Sequence, residues 1–171
     1  MTRNTKNPGA IIAAEAAHVS TMVDIFCHGQ NTHHDLFPEI FFKAEDHEKI
    51  ARYLKGYLKP RNPLRTRRNF SLVWQVDDAV AGFVLYQFYA SSNVFFGDNR
   101  WMCFVDDIAI DPNFRSQGGA SKLLASVVEK ADEVGNCVFH AQVWRGNTAS
   151  EALFQKFGFE DNAKNFYRLS K

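Results

Sequence analysis

Hydrophobic and polar positions along this chain follow two periods, and the period switches where one element gives way to the next. "AIIAAE" (10 to 15) predicts a short strand that leads into a helix running to about Gln30. "NTHHDLFPEIF" then reads as an irregular stretch around Pro38. Over 45 to 58, Ile50, Tyr53, Leu54, Tyr57 and Leu58 recur at helical spacing and predict a second amphipathic helix. "KPRNPLRTRRN" breaks that pattern with prolines and arginines and reads as a basic loop.

The period then becomes two. "FSLVWQV", the turn Asp77-Asp78 and "AVAGFVLYQFYA" predict an antiparallel hairpin. Past a loop around "GDNR", "WMCFVDDIAI" is a third strong strand. Leu123, Leu124, Val127, Val128, Ala131 and Val134 trace one face of a helix that stops at Gly135. "CVFHAQV" is a further strand. "NTASEALFQKF" is a short helix with Thr148 and Glu151 at capping-box spacing and Gly158 as its stop, and "NFYRLSK" closes as an edge strand. The expected fold is α/β of the α+β kind: one domain over residues 1–171, a mixed, mostly antiparallel sheet flanked by helices.

Composition narrows the function classes. At 171 residues with 46% hydrophobic and 23% charged positions, the chain is long enough to bury a sizeable core. A net charge of +1 offers no global attraction to nucleic acid, and the aromatics are not interleaved with basic residues as a base-stacking platform requires. Ala79 to Gly97 carries no charge and approaches spanning length, but Gln87, Ser91, Ser92 and Asn93 within it favour a strand over a membrane segment. Cys27, Cys103 and Cys137 form no C-x-x-C pair, and the first residues carry no apolar signal. The expectation is a cytoplasmic protein with reduced thiols and no metal.

One stretch carries cofactor chemistry. "DPNFRSQGGASKLL" (111 to 124) places small residues between a strand and a helix start, where unpaired backbone N–H groups and the helix dipole favour an anion. It matches neither the P-loop nor the dinucleotide fingerprint. With Arg115, Gly118 and Ala120 it resembles the [QR]-x-x-G-x-[GA] signature of the GCN5-related N-acetyltransferase (GNAT) superfamily. "DDIAIDP" ahead of it resembles that family's central strand. "VWRGNTASEALFQKFGF" behind it resembles the following strand and helix, including Asn147, Leu153, Lys156 and Gly158-Phe159. The likeness is specific from about residue 101 to 160 and only topological before that.

The resemblance implies acetyl-CoA as cosubstrate and a sheet splayed between its central strands after "AQV". It implies that N–H groups of Ser116, Gln117, Gly118, Gly119, Ala120 and Ser121 cradle the CoA pyrophosphate. It implies, further, that Ile108, Ala109 and Ile110 pair with the pantetheine arm, that Asn147 bonds the arm or caps its helix, and that Phe154 packs against it. The acceptor is then an amine of a small molecule or peptide, and a homodimer through sheet edges or C-terminal strands is an arrangement the family uses.

Direct acetyl transfer needs a base for an amine that is mostly protonated at neutral pH. Asp106 and Asp107 are the candidates, as charges inside an otherwise apolar strand. Strand alternation lets at most one of them face the reaction, and Asp106 matches the place where diamine-type relatives carry a glutamate. Many relatives have a tyrosine acid where this chain has Phe154. Tyr167, Ser121 or water would have to supply that proton, or the thiolate leaves unaided. A CoA-binding regulatory module without turnover is therefore the alternative. His33 and His34, in the loop after the first helix with His28, Cys27 and Asp35 nearby, are candidate acceptor contacts, with a solvated loop as the plainer role. Arg61, Arg65, Arg67 and Arg68 form a basic loop that meets solvent, an acidic partner or the CoA 3′-phosphate.

Overall fold

Two long strands joined by the tight turn at Asp77-Asp78 form the centre of the protein; Asp77 adopts φ 52°, a conformation that aspartate tolerates in turns. The computed structural model describes residues 8–58, 67–91 and 100–163. In chain order its elements are β1 (Ala10–Ala13), α1 (Val19–Leu36), α2 (His47–Leu58), β2 (Arg67–Val76), β3 (Ala79–Ala90), β4 (Trp101–Ile110), α3 (Gly119–Val134), β5 (Cys137–Ala141) and α4 (Thr148–Lys156). The sheet order is β1-β2-β3-β4-β5. Every pairing is antiparallel except β4 with β5.

Strand alternation divides the core between two faces. Val73, Phe83 and Leu85 pack under α1 and α2 with Met22, Ile25 and Leu54. Trp74, Val84, Tyr86, Phe88, Cys103 and Val105 pack under α3 with Leu123, Leu124, Val127 and Ala131. Burying each of Leu123, Leu124 and Val127 contributes about 1.5–3 kcal/mol, which anchors α3 against the sheet. Its N-terminus is thereby held beside the end of β4.

The pairing of β4 with β5 ends at Val105 and Ala141, and among the described residues β4 then continues from Asp106 to Ile110 paired with β3 alone. This is the splay that the family resemblance implied, reached after Ala141 rather than after Val143. Four boundaries differ from expectation. α1 continues through Asn31 to Leu36, so His33 and His34 sit on a helix rather than a loop. β2 begins at Arg67, which places Arg67 and Arg68 in a strand. β5 stops at Ala141, two residues short of the predicted run. α4 is capped by Asn147, whose Oδ1 accepts from Ser150 N, and not by the Thr148–Glu151 box. The closing strand "NFYRLSK", Tyr167, Arg61, Arg65 and most of the "GDNR" loop lie outside the described residues. Among the described residues no helix is long and apolar enough to cross a membrane.

Candidate active site

The register of β4 decides where its acids point. Leu85 pairs with Asp107 while Tyr86 pairs with Val105, so Asp106 is the extra residue of a β-bulge. Before the bulge, Cys103 and Val105 face α3; after it, Ile108 and Ile110 do. The bulge resets the alternation, and both carboxylates turn to the α1–α2 face. The expectation that only one of the pair can face the reaction assumed an unbroken strand, and the inserted residue overturns it.

Helix α2 meets both acids. Tyr53 and Tyr57 stand one turn apart on the same helix face. Tyr53 Oη donates to Asp107 Oδ2 at 2.8 Å, and Tyr57 Oη donates to Asp106 Oδ2 at 2.6 Å. Gln87 on β3 donates from Nε2 to Tyr57 Oη at 2.8 Å and also to Asp106 Oδ2. In the sequence the two tyrosines register only as part of an apolar stripe, and Gln87 only as a polar residue in a strand. A hydroxyl at i and i+4 facing an acidic strand is the signal that joins them.

The two carboxyls are not equivalent. Burial pushes Asp107 up to about 6; the Tyr53 bond opposes the rise and the neighbouring Asp106 charge adds to it. Burial also raises Asp106, but bonds from Tyr57 and Gln87 and the field of Arg67 hold it down. Burial drives Tyr53 and Tyr57 well above the ordinary phenol range, so both remain protonated donors. At neutral pH Asp107 is mostly ionised and close to the pH at which it accepts a proton.

Beyond β4 the chain forms the glycine turn. Asp111 Oδ1 accepts from Asn113 N at 2.8 Å and starts a 3-10 turn over Pro112–Phe114. Ser116 then takes φ 60° and Gly118 φ 81°, and α3 begins at Gly119. The two glycines serve different ends. A Cβ on Gly118 would meet nothing within 4 Å, whereas one on Gly119 would stand 2.1 Å from Trp74 Cε3. Gly119 is small because the helix start presses on Trp74; Gly118 is small because the turn is left-handed, and it leaves open space above the backbone.

Among the described residues no side chain caps α3, and no acid lies in its first turn, so the N–H groups of Gly119, Ala120 and Ser121 head outward without an intrahelical partner. Lys156 Nζ donates to Ser121 Oγ at 3.2 Å, and Lys122 Nζ lies 5.4 Å from the Trp74 ring while donating to Pro8 O. Small residues, outward N–H groups and two lysines suit a phosphate ester. Arg115 and Ser116 are exposed and Gln117 is half-buried beside them, its Nε2 donating to Asn113 O at 3.4 Å. The splayed edge of Ile108, Ala109 and Ile110 leads from this turn to the acids.

The remaining candidates fall in two places. Phe154 is buried in the α3-side core with its ring 5.0 Å from Phe159. Asn147 caps α4. His33 lies 5.3 Å from the Phe41 ring, and His34 Nδ1 is 2.7 Å from Phe41 O. Phe41 and Phe37 in turn pack on Trp144 of the β5–α4 connection, at 4.6 and 5.7 Å. The histidines thus help an aromatic cluster join the end of α1 to the connection that follows the splay. Burial lowers the pKa of His33 and favours its neutral ring.

The description "Acetyltransferase (GNAT) family" matches this chain over residues 29–159. The chain is 31% identical over 65 residues to the [ribosomal protein bS18]-alanine N-acetyltransferase of Haemophilus ducreyi, a stretch covering 37% of this chain and 45% of that relative. Among solved structures it is similar to a transcriptional regulator from Bacillus halodurans C-125, with a TM-score of 0.73, 16% identity, and 95% of this chain and 99% of that one covered. It is also similar to an aminoglycoside N-acetyltransferase solved with CoA, with a TM-score of 0.64, 19% identity, and 95% and 94% covered.

Proposed function

Because this chain belongs to the GNAT family of acetyltransferases, we propose that it transfers an acetyl group directly from acetyl-CoA to an amine of a small molecule or peptide. The observation that carries the proposal is the bulge at Asp106, which turns two unlike carboxylates to one face where β4 parts from β5. Acetyl-CoA supplies an acyl group already activated as a thioester. The outward N–H groups of Ser116 to Ser121 hold its pyrophosphate, and the free edge of Ile108 to Ile110 aligns its arm. Asn147 spends Oδ1 on capping α4 and keeps Nδ2 to donate to the arm.

The acids divide the remaining work. Asp106, its Oδ2 held by Tyr57 and Gln87, anchors the incoming ammonium. Asp107, pushed up to about 6 and held by Tyr53, takes the proton as the amine attacks. This reverses the order that the family resemblance favoured, for an electrostatic reason: the base is the carboxyl that burial pushes up to about 6.

A second reading has two observations in its favour. Phe154 has no hydroxyl and lies in the core, as a CoA-binding module without turnover would allow; the Bacillus halodurans neighbour bears a regulator's name. Thiol release from acetyl-CoA against polyamines, amino acids, aminoglycosides and peptides, with CoA binding measured separately by calorimetry, decides between them. Release above hydrolysis background with any acceptor supports transfer. CoA binding with no release across the panel supports the module.

A further inference from the structure

The strip of sheet beneath α2 carries polar atoms that acid–base chemistry leaves unused. Gln87 is only 7% exposed, and its register partner on β2 is Asn69; Ser71, 8% exposed, follows on the same face of β2. Gln87 gives both Nε2 protons away, to Tyr57 and Asp106, so its Oε1 is turned elsewhere. Asn69 Nδ2 donates to Gly56 O at 3.4 Å. Gln87 Oε1, Asn69 Oδ1 and Ser71 Oγ are then buried oxygens with no partner among the described residues. Buried polar atoms are normally satisfied, and a buried water typically makes about three hydrogen bonds.

We propose that one ordered water ties Gln87 Oε1, Asn69 Oδ1 and Ser71 Oγ together, and that this knot makes Gln87 the positioning residue for the carboxylate of Asp106. The hydrogen bonds close without remainder. The water donates one proton to each amide oxygen and accepts the third bond from the Ser71 hydroxyl. Ser71 sets the direction. Without its hydroxyl the water is free to turn and accept from a reversed Gln87 amide, which would present oxygen to Asp106 and leave the carboxylate with Tyr57 as its sole donor. The inference rests on the role given to Asp106 above, but its readout needs neither acceptor nor turnover.

Other groups act on Asp106 as well. Tyr57 approaches from α2, Asp107 adjoins it on β4, and the field of Arg67 reaches it from β2. Tyr89 of β3 feels its charge and bonds His140 Nε2 of β5 at 2.6 Å. Asp107 and His140 also titrate in acid, so the measurement must resolve Asp106 itself. Carboxyl carbon NMR of the whole protein, without CoA, does this.

Gln87→Leu is expected to raise the Asp106 midpoint by about one pH unit, a tenfold gain in proton affinity. Ser71→Ala, a smaller change that keeps the fold if Gln87→Leu does not, is expected to raise it by about half as much, and Ser71→Thr to restore it. A merely structural Ser71 would lower Tm and leave that midpoint in place. A crystal structure should show one water within about 2.7–3.2 Å of all three oxygens. An unmoved Asp106 midpoint in Ser71→Ala, or a direct Asn69–Gln87 amide bond in the crystal, overturns the knot. Absent thiol release with these shifts intact sinks the transferase and not the knot; the reverse result sinks the knot alone.

Discussion

Replacing Asp107 by asparagine removes the proposed base while keeping its shape, and a loss of about 10²–10⁴-fold in kcat/KM is expected. The pH dependence is the sharper test. With the Asp107 carboxyl pushed up to about 6, the ionised fraction is about 0.9 at pH 7, about 0.5 at pH 6 and about 0.1 at pH 5. Wild-type kcat/KM should therefore fall roughly tenfold between pH 7 and pH 5. Thiol release measured at each pH, divided by the same quantity for Asp107→Asn, cancels ionisation of the acceptor. Two neighbours must move the inflection in opposite directions. Asp106→Asn removes the charge that raises Asp107 and shifts the inflection to lower pH; Tyr53→Phe removes the bond that lowers it and shifts the inflection higher. A flat ratio from pH 5 to pH 7, or both variants shifting the same way, refutes the assignment.

The same elevation weakens the fold at neutral pH. The carboxyl rises from 3.8 to about 6 on folding, so the native state holds a proton that the unfolded chain has already lost. Stability from this group is present below the unfolded value and disappears as pH rises through about 6. The full rise corresponds to about 3 kcal/mol at most, and to about 1–2 kcal/mol once the partial exposure of Asp107 is allowed for. Asp107→Asn should melt higher than wild type at pH 7.5 and level with it near pH 4.

The two glycines of the turn should separate stability from binding. Gly119→Ala drives a methyl into Trp74 and should cost about 1–3 kcal/mol, read as a lowered Tm. Gly118→Ala meets no atom and costs only the left-handed backbone, about 1 kcal/mol, while calorimetric CoA affinity should fall at least tenfold. Phe154→Tyr places a hydroxyl in the core beside Phe159 and should lower Tm without raising kcat; a rate gain above tenfold would mean that the missing acid limits the reaction. Asn147→Ala removes the α4 cap and should cost about 1 kcal/mol by chemical denaturation.

What was legible in the sequence is what periodicity and resemblance encode. The hairpin of β2 and β3, the strand β4, the apolar face of α3 and the splay emerge close to where the structure has them. Two of the failures share one cause, a local signal outweighed by a partner distant in sequence. Asn31 to Leu36 read as irregular beside Pro38, yet α1 persists through them; beyond the helix end, the cluster of Phe37, Phe41 and Trp144 ties it to the β5–α4 connection. Arg67 read as loop because arginines crowd it, yet it pairs with Tyr89 in register and its guanidinium lies 5.0 Å from that ring. Thr148 lost the cap to Asn147, one residue earlier, because the Asn147 oxygen meets the Ser150 N–H. The first two of these contacts have no short-range signature, whereas the cap is local and a choice between two adjacent capping residues.

The acids illustrate the limit most clearly, and also why the limit falls where it does. Two adjacent aspartates in an apolar strand conflict with strand patterning: regular alternation would push one into the α3-side core beside Val105 and Ile108, where an unpaired carboxylate is costly. One inserted residue removes that conflict, since both acids then reach the α1–α2 face and find tyrosine donors on α2. Read forward, the sequence alone suggests choosing between Asp106 and Asp107. Read with the energetic cost of the wrong face in mind, the same "DD" predicts the bulge, because no regular strand accommodates both charges. The left-handed Ser116 and Gly118 follow the same logic at the other end of the splay, where irregular backbone is kept between a strand end and a helix start. Positions that break a local rule thus fall at both ends of the proposed path from cofactor turn to base, a placement that supports the proposed roles of both ends.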